Sequence, residues 1–427
     1  MKALPKIYFK SLGCKVNLSD LAALLDQLPA ASCEIVSQQS QADYVILNTC
    51  TVTHKADRDV RKIIGGLKRD FPDLPVIVTG CAAVNCREEL ETHQNVRAVI
   101  PPGNHDAIVQ ALGIKIEHAS QESSFSRIGR RRAMLKIQDG CNSHCAYCVL
   151  PSVRGPEHSL ELNQVLAKVE TYLKFGHREI VLCGIHLGRY GAGLAETVSL
   201  SSLLDSLAPI FADLGRGCRL RLSSIEPLEL TDQLIEVIAR SAFVCTHFHI
   251  PVQSGDNGIL AGMKRPYKIE QFESLILRLY SQFPDVALGT DILVGFPGET
   301  ASSADKTLAM VKNLPLSYLH VFTFSPRAKT LAEKMAGQVD PGTIKQRAKE
   351  VRRVSDLHWQ EFLRAGIGQH HEVLIEKKIN GGFRGLSSTF RRIQIQSDLL
   401  MPGDMVEVVA KNLDADALVG VLCNTDS

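Results

Sequence analysis

Strand-like and helix-like segments alternate along most of this chain, stop once, restart, and then give way to strands alone. Lys6–Lys10, Tyr44–Asn48, Val76–Thr79 and Ala98–Ile100 are short, apolar and β-branched, the composition of strands. Segments near Asn17–Leu28, Lys55–Lys68 and Asn85–Thr92 lie between them with helical spacing and polar faces. Such alternation predicts a parallel sheet with right-handed crossovers. A polar stretch, His118–Ser126, reads as a linker. Six further strand candidates follow: Ala133–Gln138, Glu179–Leu182, Arg219–Ser223, Thr246–Ile250, Val286–Leu293 and Tyr318–Thr323. Helical segments such as Leu160–Phe175, Thr231–Ala239, Ile269–Phe283 and Ser302–Asn313 separate them. Six such units predict a full or partial barrel of the TIM kind. A long charged helix, Thr343–Ala365, closes it. The end of the chain holds short strands at Glu372–Glu376, Arg391–Gln396, Met405–Val409 and Ala417–Leu422, with Gly381-Gly382 and Pro402-Gly403 as turns. That pattern predicts a small all-β barrel. At 427 residues, three domains of about 100–200 residues are the natural division.

Twelve cysteines in a chain with 45% hydrophobic and 22% charged residues narrow the chemistry. Met1–Lys10 has no apolar signal core, and no run approaches about 18 apolar residues. A cytoplasmic protein with reduced thiols is therefore expected, and clustered cysteines there suggest metal or catalysis before disulfides. Net charge is only +2, so any nucleic-acid footprint has to be local.

The sharpest cluster is Cys141-Asn-Ser-His-Cys145-Ala-Tyr-Cys148. Three thiolates at C-x3-C-x2-C spacing on one loop can hold three irons of a [4Fe–4S] cube and leave the fourth open. A structural zinc site completed by His144 or His158 is the alternative. The loop follows the first strand of the barrel-like region, where the strand ends of such barrels carry active sites. Three more cysteines, Cys14, Cys50 and Cys81, each follow a predicted N-terminal strand. Ligands gather at the carboxyl ends of parallel strands, so these three could share a rim. They could equally be small buried hydrophobes, the reading given to Cys33, Cys183, Cys218, Cys245 and Cys423; Cys86 stays ambiguous.

From the three-cysteine loop onward the chain resembles the radical S-adenosylmethionine (SAM) superfamily, and specifically its methylthiotransferases, over essentially its whole length. The resemblance is carried by Leu182-Cys-Gly184-Ile-His-Leu-Gly-Arg-Tyr-Gly191, Arg221-Leu-Ser-Ser-Ile-Glu-Pro227, His249-Ile-Pro-Val-Gln-Ser-Gly255, Met263-Lys-Arg265 and Asp291-Ile-Leu-Val-Gly-Phe-Pro-Gly-Glu-Thr300. It is also carried by Ser11-Leu-Gly-Cys14-Lys-Val-Asn17, Asn48-Thr-Cys50-Thr-Val-Thr53 and Thr79-Gly-Cys81. It implies an α/β architecture. A methylthiotransferase N-terminal domain (1–118) would carry an auxiliary cluster on Cys14, Cys50 and Cys81. A partial (β/α)6 radical SAM barrel (127–366) would carry a second cluster on Cys141, Cys145 and Cys148. The last segment (368–427) resembles the TRAM domain, an RNA-binding β-barrel. Two [4Fe–4S] clusters and SAM are the implied cofactors. Carried over from the family, Gly184 lies by the methionyl amine of SAM, Glu226, Gln253 and Arg265 near its ribose or carboxylate, and Tyr147 by the adenine. Two departures from the family pattern stand out: Asp256, where a small hydroxyl residue is commoner, and Ala82-Ala83, where an aromatic–Gln pair is commoner.

The implied reaction uses one SAM to methylate sulfur on the auxiliary cluster and a second as the source of an adenosyl radical. The outcome is replacement of the C2 hydrogen of an adenine by a methylthio group. No acid–base pair stands out, and the hard chemistry belongs to the cofactors. Cys14-Lys-Val-Asn17 and Cys50-Thr-Val-Thr53 look like the branch acting on N6-threonylcarbamoyladenosine beside the tRNA anticodon. The alternatives are the isopentenyl-adenosine branch, the branch acting on a ribosomal-protein aspartate, and a non-catalytic zinc-dependent RNA-binding protein. The implied partners are tRNA, an electron donor such as flavodoxin or ferredoxin, and a sulfur donor, with no membrane.

Basic residues Arg127, Arg130, Arg131, Arg132 and Lys136, then Lys377, Lys378, Arg384, Arg391 and Arg392, stand without interleaved acids and could grip phosphates. Phe383 and Phe390 could stack on bases. Solvated surface charges and core aromatics are the plainer reading.

Overall fold

The computed structural model describes residues 4–28, 32–114, 124–213 and 217–423, apart from the side chains of Ser124 and Arg127. Most of the His118–Ser126 linker and the Arg127 side chain thus lie outside the described residues. The first sheet is wholly parallel, in the order β2 (Glu34–Val36), β1 (Lys6–Ser11), β3 (Tyr44–Thr49), β4 (Val76–Gly80), β5 (Val96–Val99). β2 has no counterpart among the sequence candidates because three residues carry too little periodicity to register. The helix expected at Asn85–Thr92 is two, Ala82–Asn85 and Arg87–Glu91, broken at Cys86.

The central region holds six parallel strands: β6 (Arg132–Asp139), β8 (Glu179–Gly184), β9 (Arg219–Leu222), β10 (His247–His249), β11 (Ala287–Val294) and β12 (Tyr318–Thr323). Bridges at Leu220–Val244 and Ser224–His249 join β9 to the β10 side. A two-residue strand, β7 (His158–Ser159), pairs antiparallel with the end of β6. This is the open, partial barrel expected. One cluster of buried side chains runs through it, from Phe125 and Ile137 to Leu319 and Val354.

The C-terminal segment is a closed barrel of β13 (His370–Ile379), β14 (Gly382–Ser387), β15 (Arg392–Ile395), β17 (Ala417–Leu422) and β16 (Met405–Asp414). The turn expected at Gly381-Gly382 falls one residue earlier, at Asn380-Gly381, and β14 begins at Gly382; Gly382 and Gly385 dilute its strand pattern. Close packing requires both glycines: a Cβ on Gly385 would sit 2.5 Å from Val373 Cγ1.

Two buried ionic clusters hold these units together. Helix Lys15–Asp26 of the first unit packs on β6. There Arg154 Nη1 donates to Asp20 (2.7 Å), its Nη2 donates to Asn17 Oδ1 (2.7 Å), and Lys136 Nζ contacts Asp20 and Asp139 at 2.5 Å. The side chain of Arg154 is 1% exposed. Despite burial, the Lys136 and Arg154 charges hold the Asp20 carboxyl below its usual range. At the other junction, buried Glu179 pairs with Arg219 (2.7 Å) and Arg221 (2.8 Å). Those two guanidiniums also donate to the carbonyls of Glu372, Leu386, Ser387 and Ser388, fastening the small barrel in place.

This packing corrects the reading of the basic stretches. Lys136 and Arg132 are ion-paired inside the fold, Arg132 with Glu376 at 2.8 Å. Arg391 is 1% exposed, bonded to Phe362 O and Asp285. Phe383 fills the core of the small barrel. Phe390 stacks on His247, ring centroids 4.2 Å apart, inside the central unit. Phe383 is therefore not free to stack on a base, and half-buried Phe390 already has a ring face against His247. Of the nine basic residues whose side chains are described, Arg130, Lys377, Lys378 and Arg392 are exposed, and Arg392 is paired with Asp416. Cys33, Cys183 and Cys245 are buried as expected, whereas Cys218 and Cys423 are half-buried and line a groove beside the small barrel. Among the described residues, no helix is long and apolar enough to cross a membrane.

Candidate functional site

A cavity of about 300 Å³ opens at the carboxyl ends of the central strands. Cys141, Cys145 and Cys148 line it, all three free and half-buried. Their loop is held by Cys141 N donating to Gly155 O (3.1 Å) and Ala146 N donating to Met263 O (3.0 Å). Burial pushes the Cys148 thiol up to about 12. For Cys141 burial acts the same way, but hydrogen bonds with His186 (3.6 Å) and Ser143, with the His186 charge, together outweigh it and lower the thiol. Such thiols give up their protons on metal ligation. Three free thiols on one cavity wall are a donor set that an iron–sulfur cluster accepts.

His144 and His158 are exposed, and His158 is engaged with Pro156 O. The imidazole beside Cys141 is instead His186, which contacts Glu157 (3.1 Å) and Glu229 (2.6 Å). Sequence reasoning singles out neither carboxylate. Nothing about their spacing links residues 157, 186 and 229 until the strand ends meet.

Tyr147, Glu226, Gln253 and Arg265 also line the cavity. Arg265 pairs with Glu226, and donates to Tyr267 Oη (2.9 Å) and to Cys145 Sγ (3.4 Å). Gln253 has φ +73°, a strained conformation for a side-chain-bearing residue and one that clusters at ligand sites. It is pinned by bonds to Asp291 O and from Leu293 N. Gly184 lies just off the wall. Its missing Cβ lets β8 close on Gln138, whose Oε1 accepts from His186 N (2.7 Å), while Ile185 and His186 form the lining. Asp256, the departure from the family pattern, caps the next helix through Ile259 N (3.0 Å) and pairs with Lys306 (2.8 Å).

The second trio sits next door. Cys14, Cys50 and Cys81 follow β1, β3 and β4, adjacent parallel strands. Gly13, φ +114°, is required because a Cβ there would stand 2.8 Å from Cys50 Cβ. Asn17 ties the strand ends by donating to Leu12 O (2.8 Å) and Thr49 O (2.9 Å). Burial raises the Cys81 thiol to about 11, against Arg154. Cys81 packs on Val149 and Val153, immediately past Cys148. Val52 and Thr53, just past Cys50, line the same cavity as the other trio. Ala82 and Ala83 are buried behind Cys81. Arg327, bonded to Asp57 (2.5 Å) and to Thr51, locks the first unit against the far side of the cavity. Cys86 stands apart, half-buried beside Asn85.

A partial parallel barrel with a three-cysteine loop at the end of its first strand defines a radical SAM type of enzyme, and sequence comparison agrees. Residues 135–311 match the Radical SAM superfamily, and residues 6–101 match a family described as "Uncharacterized protein family UPF0004". The chain is 31% identical over 422 residues to the threonylcarbamoyladenosine tRNA methylthiotransferase MtaB of Bacillus subtilis (strain 168), covering 94% of this chain and 93% of that one. It is 31% identical over 386 residues to the protein of the same name from Aquifex aeolicus (87% and 92%). The tRNA-2-methylthio-N(6)-dimethylallyladenosine synthase of Helicobacter pylori (strain G27) is 30% identical over 424 residues (94% and 96%). Among solved structures, the radical S-adenosylmethionine methyltransferase TsrM from Kitasatospora setae aligns with TM-score 0.56 over 78% of this chain and 77% of its own. At 15% identity that likeness speaks for the fold alone. The chain belongs to the methylthiotransferase family of radical SAM enzymes.

Proposed function

We propose that this enzyme adds a methylthio group to C2 of N6-threonylcarbamoyladenosine next to the anticodon of tRNA, in the cytoplasm. The observation that carries the reading is two free cysteine trios close together: one lines the cavity, while Cys81 of the other packs on the side chains just past Cys148 and Val52 and Thr53, just past Cys50, reach the cavity wall. Cys141, Cys145 and Cys148 would hold one [4Fe–4S] cluster, and Cys14, Cys50 and Cys81 the other. When bound, the first cluster supplies the electron that cleaves SAM, and the second holds the sulfur that is transferred. The protein's own residues position and shield. Arg265 and Glu226 present a charge pair to the methionyl and ribose groups of SAM, and Tyr147 packs by its adenine. Gln253 is held to the wall by its backbone, and Val52, Thr53 and Leu150 line the same cavity. The division into an auxiliary-cluster unit (1–118), a radical SAM unit (127–366) and a TRAM-like unit (368–427) is part of the same proposal. So is dependence on an external electron donor, such as flavodoxin or ferredoxin, and on a sulfur donor.

The threonylcarbamoyl branch is favoured by the relatives of that name and by Cys14-Lys-Val-Asn17. Nucleoside analysis of tRNA from cells lacking the protein should show the methylthio derivative gone and its unmethylthiolated precursor accumulated. Loss of the isopentenyl derivative instead would transfer the protein to the other tRNA branch.

The small barrel's exposed cations make a narrower RNA-binding face than the sequence suggested. Changing Lys377 and Lys378 to Ala should lower the log–log salt slope of tRNA binding by roughly one unit for each phosphate no longer gripped. Arg391→Ala should leave that slope unchanged and destabilise the barrel instead, since Arg391 is buried and paired with Asp285. Filter binding at several salt concentrations separates the two outcomes.

A further inference from the structure

The cavity has a polar corner, away from the cysteine loop, to which nothing above assigns a role. Asp291, near the end of β11, and Ser224, just past β9, line the cavity. Two imidazoles flank the Asp291 carboxylate. His320 on β12 reaches Asp291 Oδ1 through Nδ1 (3.2 Å), and His249 at the end of β10 brings Nε2 to the same oxygen (3.1 Å). The His249 ring is only 6% exposed, and Ser224 Oγ fixes its Nδ1 at 2.9 Å. Its Nε2 nevertheless makes no hydrogen bond of acceptable angle, close as Asp291 is. A buried polar atom left unsatisfied is rare and costly, and this one stands beside a carboxylate on the wall of a cavity. His320 is half-exposed with its second nitrogen free of any described partner. Phe322, two residues on and on the same face of β12, lines the cavity with its ring 39% exposed.

We infer that His249, Asp291 and His320 read the polar N6 arm of the target adenosine. The Asp291 carboxylate accepts from an arm N–H, and the imidazoles donate to its oxygens. Phe322 covers the apolar remainder. The inference rests on the substrate proposed above and names which residues select it. A ureido arm ending in a carboxylate offers donors and acceptors side by side, as this corner requires. An isopentenyl arm offers neither, and would leave buried His249 and half-buried Asp291 without partners on the arm. The same donor atoms all lie within 4.8 Å of one another and could hold a divalent cation. Phe322 beside them, apolar and open to the cavity, favours the organic ligand.

The test is steady-state kinetics of the reconstituted holoenzyme on two tRNAs, one carrying threonylcarbamoyl-adenosine and one isopentenyl-adenosine. For His320→Leu, and separately for Asp291→Asn, KM for the first tRNA should rise roughly ten- to hundredfold, the effect expected for an unmade polar interaction. The preference for the first tRNA over the second should fall by the same factor, with about eight irons per protein, two cubes of four, retained. An unchanged preference, or equal losses on both tRNAs, overturns the inference. So does one equivalent of zinc in the wild-type holoenzyme that His320→Leu lacks. A wild-type enzyme that prefers the isopentenyl substrate overturns the substrate reading itself, and this inference with it.

Discussion

Replacing Cys14, Cys50 and Cys81 together with alanine is expected to abolish the methylthio product while reductive cleavage of SAM to 5′-deoxyadenosine continues. The variant should retain about half of the roughly eight irons of two cubes. The two trios are separable because the Cys141–Cys148 loop is held by its own bonds to Gly155 and Met263, not by the first sheet. Of the three, only Cys81 touches the hydrophobic side chains past Cys148, and alanine keeps most of that packing. Iron analysis, 5′-deoxyadenosine quantitation and product nucleoside analysis on one preparation decide the matter. A variant making methylthio product at the wild-type rate would falsify the placement of the auxiliary cluster.

The largest stability effect is expected from Arg154→Ala. Arg154 bonds to Asp20, Asp139 and Asn17 with 1% of its side chain exposed. Its removal leaves Asp20 and Asp139 with Lys136 as their one cationic partner, and breaking one side of a buried ion cluster costs about 3–5 kcal/mol. Because this cluster joins the first unit to β6, the expected readouts are a fall in thermal midpoint and faster proteolysis between the two units. Asn17 also loses a partner, so cluster occupancy at Cys14, Cys50 and Cys81 should drop with it. The double variant Asp20→Asn with Arg154→Met should recover part of the stability by removing the stranded charge. A single variant as stable as wild type would show that the junction is held by packing alone.

What can be read from sequence follows a physical pattern. β1, β3, β4 and the six central strands are legible because strands buried on both faces must be apolar runs. Cys141, Cys145 and Cys148 are legible because their donors lie close together on one loop. β2, β14 and the division at Cys86 are not, being too short or too rich in glycine to carry a period. The basic stretches mislead for a different reason. A run of like charge in one dimension says nothing about the acid it will meet in three. Arg391 meets Asp285, Lys136 meets Asp20, and Arg132 meets Glu376.

The sequence by itself determined the layered α/β order, the small terminal barrel, the thiol loop and the rule that Cys14, Cys50 and Cys81 each end a strand. All of these follow from local periodicity and local spacing. Only the tertiary structure decided that Cys81 packs against the side chains just past Cys148, that His186 rather than His144 or His158 stands beside Cys141, and that Phe390 stacks on His247. Only it brought His249, Asp291 and His320, which lie on three different strands, to a common point. In a parallel barrel, residues far apart in sequence meet wherever strand ends converge. That convergence is set by strand register and barrel closure, which no single segment encodes.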